Sequence, residues 1–489
     1  MPKAKQFLKA KKPSKHAKPA PTTADEYLEA GVEYEEAGEK WRGGDALKSL
    51  RAFHRAIECY EEGLKKFPRS FDLAYNKSRV QFELTQHPKL CGQLVGAVSG
   101  HLEVALESSR YALKLKEDNA DVLFNTAQIL TSLVEVYTED RTNTHDPLPP
   151  LKEALELFQR CQNLQEFSFT ESQAQQASMS QGLSYEDSEE MSDVEEGGVS
   201  LDQKGPATAQ EEQWAAIVEP VTNDTLLDTL LAQLQCLTTF CSLLPPDPAR
   251  GLVWIEEYST PLLITKLPAY LTTANRQTEA GLTRANFLSA LADASFRCQS
   301  IDISTYLQAI SDAFSQLSLS TDPEGLVNRA EALMSYNSSV RLAYSGRSKK
   351  DVFGSRWKAL SNALESLTAA SKLPTAENIP KIHLVRGDTE LLRYQLGREG
   401  YELAAKSSTV LIKNAETFYR GAGALAKSSG ASKELVEANI KQALTQAIGG
   451  NTANLQEAVK LERGTKAILE EAIDDGLVSI QELAGKGFA

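Results

Sequence analysis

The sequence predicts an all-α protein assembled from repeated helix pairs, and three observations carry that prediction. Small and aromatic residues recur on helix faces at spacings of four and three. The first member of successive triplets falls at 56, 105 and 154, a constant step of 49 residues. Strand-like alternation of apolar and polar residues is nearly absent along the 489 residues.

The chain opens with "MPKAKQFLKAKKPSKHAKPAP", which carries seven lysines and no acid, so the remainder holds a net charge of about −21. The segment lacks a secretory apolar core and lacks arginine, and its prolines interrupt an amphipathic helix. Residues 1–23 therefore read as a basic disordered tail. Nuclear import, nucleic-acid anchoring, plain solvation and an organelle signal are the roles open to it.

Helix pairs are expected over 24–165. The first helix, "ADEYLEAGVEYEEAGEKW", is closed by "RGGD", where Asp45 can cap the next helix by accepting from its free N–H groups. The second helix bears Ala56, Tyr60 and Gly63 on one face and is stopped by Pro68. The pattern returns as Ala105, Ser109, Ala112 and again as Ala154, Phe158, Cys161. Small residues at these intervals let a neighbouring helix approach closely, and the aromatic fills the groove beside the contact. A preceding helix stands before each: "SFDLAYNKSRVQFEL" before the second triplet and "NADVLFNTAQILTSLVEVY" before the third.

"AIECYEEGLKKFP" resembles the second-helix signature of the tetratricopeptide repeat (TPR) family, and "GGD" resembles its turn. The usual unit is about 34 residues, so the step of 49 implies lengthened connections, and the first-helix signature is reduced to small residues such as Gly31, Ser78 and Ala127. The resemblance covers about 24–163 and implies a right-handed superhelix whose inner surface is lined by the first helix of each pair. Aligning the three units on those small residues places Glu35, Asp72, Tyr75, Arg79, Phe82, Asp121, Phe124 and Gln128 on that surface, as a groove of aromatics and acids suited to a basic segment. Relatives that clamp the C-terminal carboxylate of heat-shock proteins use a lysine and, four residues on, an asparagine in the first helix. The corresponding places here are Leu28 and Val32, which weakens that expectation.

Residues 166–213 are rich in Ser, Gln and Glu and poor in large apolar side chains, the composition of a disordered acidic insertion. It concentrates Glu186, Asp187, Glu189, Glu190, Asp193, Glu195 and Glu196. Ser184 and Ser192 each precede an acid by three residues, resembling acidophilic-kinase phosphosites. The acids suit either a solvated linker or a strip attracting a basic partner.

Residues 214–489 return to helix. "TNDTLLDTLLAQLQCLTTF" has adjoining leucine stripes with Asn223 or Asp224 as cap; its apolar core reads as a buried helix rather than a membrane span. Further helices are expected near 279–297, 303–317, 325–345, 355–373, 380–396, 400–424, 432–448 and 452–475. Ala363, Leu367, Ala370 and Ala415, Tyr419, Ala422 read as degenerate repeat faces.

Phosphate-binding loops, dinucleotide fingerprints, zincin motifs and nucleophile elbows are absent, the six histidines are isolated, and the six cysteines have no metal spacing. No catalytic residue, metal or cofactor is expected. Direct nucleic-acid binding is disfavoured by the acidic remainder, which repels phosphates. The resulting expectation is a non-enzymatic TPR-type adaptor or chaperone in nucleus and cytoplasm. Its partner is a basic protein client, such as a ribosomal protein or histone, with no small-molecule substrate and no membrane. The alternative is a cytoplasmic scaffold or heat-shock co-chaperone.

Overall fold

The computed structural model describes residues 20–139, 145–182, 220–245, 250–272, 276–344, 350–461 and 464–488. The acidic cluster 186–196, Ser184, Ser192 and the lysines of the tail lie outside the described residues. Among those described every regular element is helical. The chain divides into two compact units, Met1–Ala216 and Ile217–Ala489.

The first unit contains α1 (Ala24–Arg42), α2 (Ala46–Lys66), α3 (Phe71–Gln86), the short α4 (Pro88–Cys91), α5 (Val98–Leu115), α6 (Ala120–Glu139) and α7 (Leu148–Gly182). The helices pack as successive pairs α1/α2, α3/α5 and α6/α7, each pair also touching the next. Local chemistry sets the ends. Thr23 and Glu26 form a capping box at α1, Asp45 accepts from the Lys48 N–H (3.0 Å) at α2, and Asn119 accepts from Val122 (3.0 Å) at α6.

The recurring triplets are where the pairs meet. Ala56, Tyr60, Ala105, Ser109, Ala112, Ala154, Phe158 and Cys161 are fully or almost fully buried, and Gly63 is buried with them. A methyl group on Gly31 would lie 2.5 Å from Cζ of Tyr60, and one on Gly63 would lie 2.8 Å from Cδ1 of Leu73. These glycines exist because an aromatic or a leucine occupies the space. Pro68 differs from the rest of its set: it is exposed in the turn after α2, and it joins adjacent pairs through its carbonyl, which accepts from the Tyr111 hydroxyl (2.5 Å).

One boundary departs from expectation. Helix α7 runs on to Gly182, through residues assigned from composition to the disordered insertion beginning at 166. The stretch lacks proline and, before Gly182, glycine. Its Glu, Gln, Ala and Met residues are good helix formers, so polarity there marks a solvated helix extension rather than a break.

The second unit begins with α8 (Asn223–Leu243), α9 (Arg250–Pro261), a π-turn (Leu262–Lys266) and α10 (Leu267–Leu271). It continues with α11 (Gln277–Arg297), α12 (Ile303–Ser315), α13 (Pro323–Ala343), α14 (Lys350–Ala370), α15 (Ile379–Arg398), α16 (Glu402–Lys406), α17 (Ser408–Ser429) and α18 (Ser432–Ile448). Three short helices, α19 (Ala453–Leu461), α20 (Thr465–Asp474) and α21 (Ile480–Ala484), close it. Thr222, not Asn223 or Asp224, caps α8, accepting from Thr225 (3.2 Å). Among the described residues α8 alone is long and apolar enough to cross a membrane, a property the sequence reading denied it. In the structure 67% of that apolar stretch is buried, with α10 and α11 packed on α8.

The glycine–tyrosine contact returns in this unit. A methyl on Gly387 would stand 2.7 Å from Cδ1 of Tyr419, which with Ala415 and Ala422 is fully buried, as are Ala363, Leu367 and Ala370.

Candidate protein-binding face

The first helices of the pairs in the amino-terminal unit, α1, α3 and α6, touch one another in sequence and form one layer. Polar side chains join them. Arg79 of α3 pairs with Glu35 of α1, Arg42 of α1 pairs with Glu83 of α3, and Asn125 of α6 donates to the Tyr75 hydroxyl of α3 (3.2 Å).

Glu35 is the hinge of this arrangement. It is buried, accepts from the Tyr60 hydroxyl of its own pair, and receives Arg79 from the next pair. Burial, and then the neighbouring Glu35 carboxylate, pushes the Tyr60 phenol far up. Burial opposes the Arg79 charge, but Glu35 and Glu83 outweigh it and raise the guanidinium. The same device occurs twice in the second unit. Asp293 accepts from Tyr306 (2.7 Å) and pairs with Arg297 (2.7 Å); Asp388 accepts from Tyr419 (2.7 Å) and pairs with Lys441 (3.0 Å).

The groove residues expected from the sequence therefore separate into two groups. Glu35 and Phe82 are corrected from the open face to the helix packing, because both are buried, Glu35 against the Tyr60 hydroxyl. Arg79 is half-buried and held by two carboxylates. Asp72 and Asp121 are exposed, and Tyr75, Phe124 and Gln128 are half-buried. Tyr75 stacks on Phe71 (5.8 Å) and Phe124 meets the edge of Phe158 (5.7 Å), so both rings are fixed by one side while part of each stays open. Burial, followed by the Asp121 carboxylate, raises the Tyr75 phenol, which places Asp121 beside that ring.

Charge is distributed unevenly between helices. Helix α1 carries seven acids against two bases, and Asp25, Glu26, Glu29, Glu33, Glu36 and Glu39 are all exposed. Its partner α2 carries five bases against three acids. Helix α6 has three acids and no base, while α3 is balanced. The layer of first helices is thus acidic, with Val32, Tyr34 and Trp41 as exposed apolar side chains on α1. Sequence alignment of the repeats reached Asp72, Asp121 and the aromatics but of the α1 carboxylates only the buried Glu35; it passed over the six exposed ones, whose signal is simple charge density.

At the places of the heat-shock clamp, Leu28 and Val32 offer no cation, and Arg79 is already paired. Among the described residues no cluster of His, Cys, Asp and Glu could hold a metal ion. Cys161, Cys236, Cys241 and Cys298 are buried, and Cys59 and Cys91 are partly so. Burial pushes the Cys241 thiol up to about 12, which suits a packing role.

No family model matches the chain. Over 163 residues, 33% of this chain, it is 32% identical to the UPF0656 protein C926.02 of Schizosaccharomyces pombe. The chain spans about a third of the length of that curated relative, 35% of it. Among solved structures, a circular tandem repeat protein with a novel repeat topology aligns over 95% of this chain and 99% of its own, at 13% identity and TM-score 0.30. The nuclear import adaptor Nro1, described as the hypoxic regulator of sterol synthesis, aligns over 83% of this chain and 90% of its own (12% identity, TM-score 0.30). A second structure of S. pombe Nro1 gives 83% and 95%, at 12% identity and TM-score 0.29. Scores of that size carry no argument about function.

Proposed function

We propose that this protein is a non-enzymatic adaptor or chaperone whose TPR-like amino-terminal unit holds a basic segment of a client protein against α1, α3 and α6. The observation that carries the reading is the charge difference between the two helices of the first pair: acids crowd the exposed surface of α1, whereas α2 is net basic. Such a face attracts lysine- and arginine-rich chains over a distance set by ionic strength. The half-open rings of Tyr75 and Phe124 supply anchors that charge alone lacks. Ribosomal proteins and histones have the required composition, and a lysine-rich tail fits a protein moving between cytoplasm and nucleus.

The test is surface plasmon resonance of the full chain against an immobilised basic peptide, such as a histone tail, at two salt concentrations. Replacing Glu29, Glu33 and Glu36 with Gln should slow association and flatten its salt dependence. Tyr75→Ala and Phe124→Ala should mainly speed dissociation, each by about 1–3 kcal/mol. Binding indifferent to both sets would place the client elsewhere and remove the basis of the proposal.

A further inference from the structure

Large buried tyrosines occur in both units, and one of them behaves unlike the others. Among the described residues Tyr60, Tyr306, Tyr336 and Tyr419 are the largest fully buried side chains. Three of the four hydroxyls reach a carboxylate: Tyr60 to Glu35, Tyr306 to Asp293 and Tyr419 to Asp388. The Tyr336 hydroxyl reaches no carboxylate and forms no hydrogen bond of ordinary geometry; the polar group facing it is the Ser355 hydroxyl. Ser355 donates to the carbonyl of Val352 instead (2.9 Å). A buried hydroxyl left without a partner is costly, and native proteins rarely keep one without a use.

Tyr336 lines a cavity of about 530 Å³ between α12, α13 and α14, a size common for organic ligands. The lining is dictated by helix periodicity. Arg329, Leu333 and Tyr336 form one stripe of α13, and Asp351, Ser355, Lys358 and Asn362 form one stripe of α14. The floor is apolar, made by Ile310, Leu333 and Val352, all buried, with the Tyr336 ring among them. Among the described residues neither Arg329 nor Lys358 has an ion-pair partner, and Arg329 is half-buried. Two acids also border the space. The Asp302 carboxylate is committed to capping α12, accepting from the Thr305 N–H (2.7 Å) and the Ser304 hydroxyl (2.8 Å). Asp351 sits exposed in the first turn of α14.

We propose that this cavity is a binding site for an apolar carboxylate, an aromatic or branched hydrocarbon body bearing one carboxylate group. The body fills the apolar floor, and the carboxylate accepts from the Tyr336 hydroxyl, the one of these four tyrosines without an acid, with Arg329 and Lys358 supplying countercharge. A free small carboxylate and the carboxyl-terminal residue of a peptide share this chemistry.

Isothermal titration calorimetry of the full chain with N-acetyl-L-tryptophan, with its amide, and with an acetylated tetrapeptide ending in tryptophan tests the assignment. The acid should bind at least ten-fold more tightly than the amide. Tyr336→Phe and Arg329→Gln should each weaken the acid several-fold while leaving the amide unchanged. A tetrapeptide that binds more tightly than the amino acid identifies a peptide terminus as the source; weaker binding identifies a free carboxylate. Absence of binding at millimolar acid, or equal binding by Tyr336→Phe, overturns the site. Unfolding gives a second reading. Tyr336→Phe removes only an unpaired hydroxyl and should leave the melting temperature unchanged or higher, whereas Tyr306→Phe, which breaks the bond to Asp293, should lower it. Equal losses would mean that Tyr336 is bonded within the protein, and the proposal would fall.

Discussion

Substituting Gly31 by alanine adds one methyl group at the most crowded contact of the first helix pair. That methyl would stand 2.5 Å from Cζ of Tyr60, against about 3.5–4.0 Å for carbon atoms in ordinary contact. The ring cannot swing aside, because Tyr60 is fully buried and its hydroxyl is held by Glu35. Overpacking of this kind costs about 1–3 kcal/mol, and any displacement of the ring also strains the Glu35 bond. Gly100, near the start of α5, has no atom within 4 Å of the same added methyl. Alanine there should stabilise by about 0.5–1 kcal/mol through helix propensity alone. The two substitutions are chemically identical and opposite in sign. Urea unfolding followed by circular dichroism measures both, and hydrogen exchange of α1 and α2 peptides locates the loss. A Gly31→Ala protein that unfolds at or above the wild-type midpoint would refute the close approach of α1 to α2.

Ala56→Trp should likewise destabilise by about 1–3 kcal/mol in the same assay, since Ala56 is fully buried. Asp388→Asn should cost about 1.5–3 kcal/mol because it removes one of the two carboxylates paired with the buried Lys441, Glu437 remaining at 2.8 Å, and Asp388→Asn with Lys441→Met should recover part of that loss. Glu437 is burdened by burial, but the Lys441 and Lys381 charges prevail and hold its carboxyl below its ordinary value. A depressed carboxyl contributes stability that is present above the unfolded value near 4.5 and lost as pH falls through the folded one. Glu437→Gln should therefore flatten the fall of the urea midpoint below pH 4.5. Deleting residues 1–20 should reduce nuclear accumulation of a fluorescent fusion without moving the melting temperature; unchanged accumulation would leave the lysines to solvation.

The repeat faces were legible because packing imposes a spacing. Ala56, Tyr60 and Gly63 must lie one turn apart to meet α1, and no distant residue alters that requirement. Most helices from 277 onward were legible for the same reason, although the stretches expected at 400–424 and 452–475 each divide into two helices, α16 with α17 and α19 with α20, and the four-three face of Tyr306, Ile310 and Ala313 on α12 was passed over. The extension of α7 was hidden because composition reports solubility, not backbone conformation. Burial of Glu35 was hidden more deeply. A glutamate on a charged helix reads as solvated, and only the arrival of Tyr60 and Arg79, 25 and 44 residues away, makes it interior. The Tyr336 cavity depends on three helices at once, and no single stripe announces it.

Glu35 has a consequence for how the chain is made. Its carboxylate is satisfied from both directions, by Tyr60 within its own pair and by Arg79 in the following one. During synthesis from the amino terminus the first pair can close as soon as Tyr60 has emerged, but it then buries an acid that still lacks its cation. The missing partner arrives only with α3. Asp388 imposes the same wait, with Tyr419 arriving before Lys441. Each such acid makes the completed pair a poor resting point and the next helix its remedy, so the order of translation is also the order in which buried charge is neutralised.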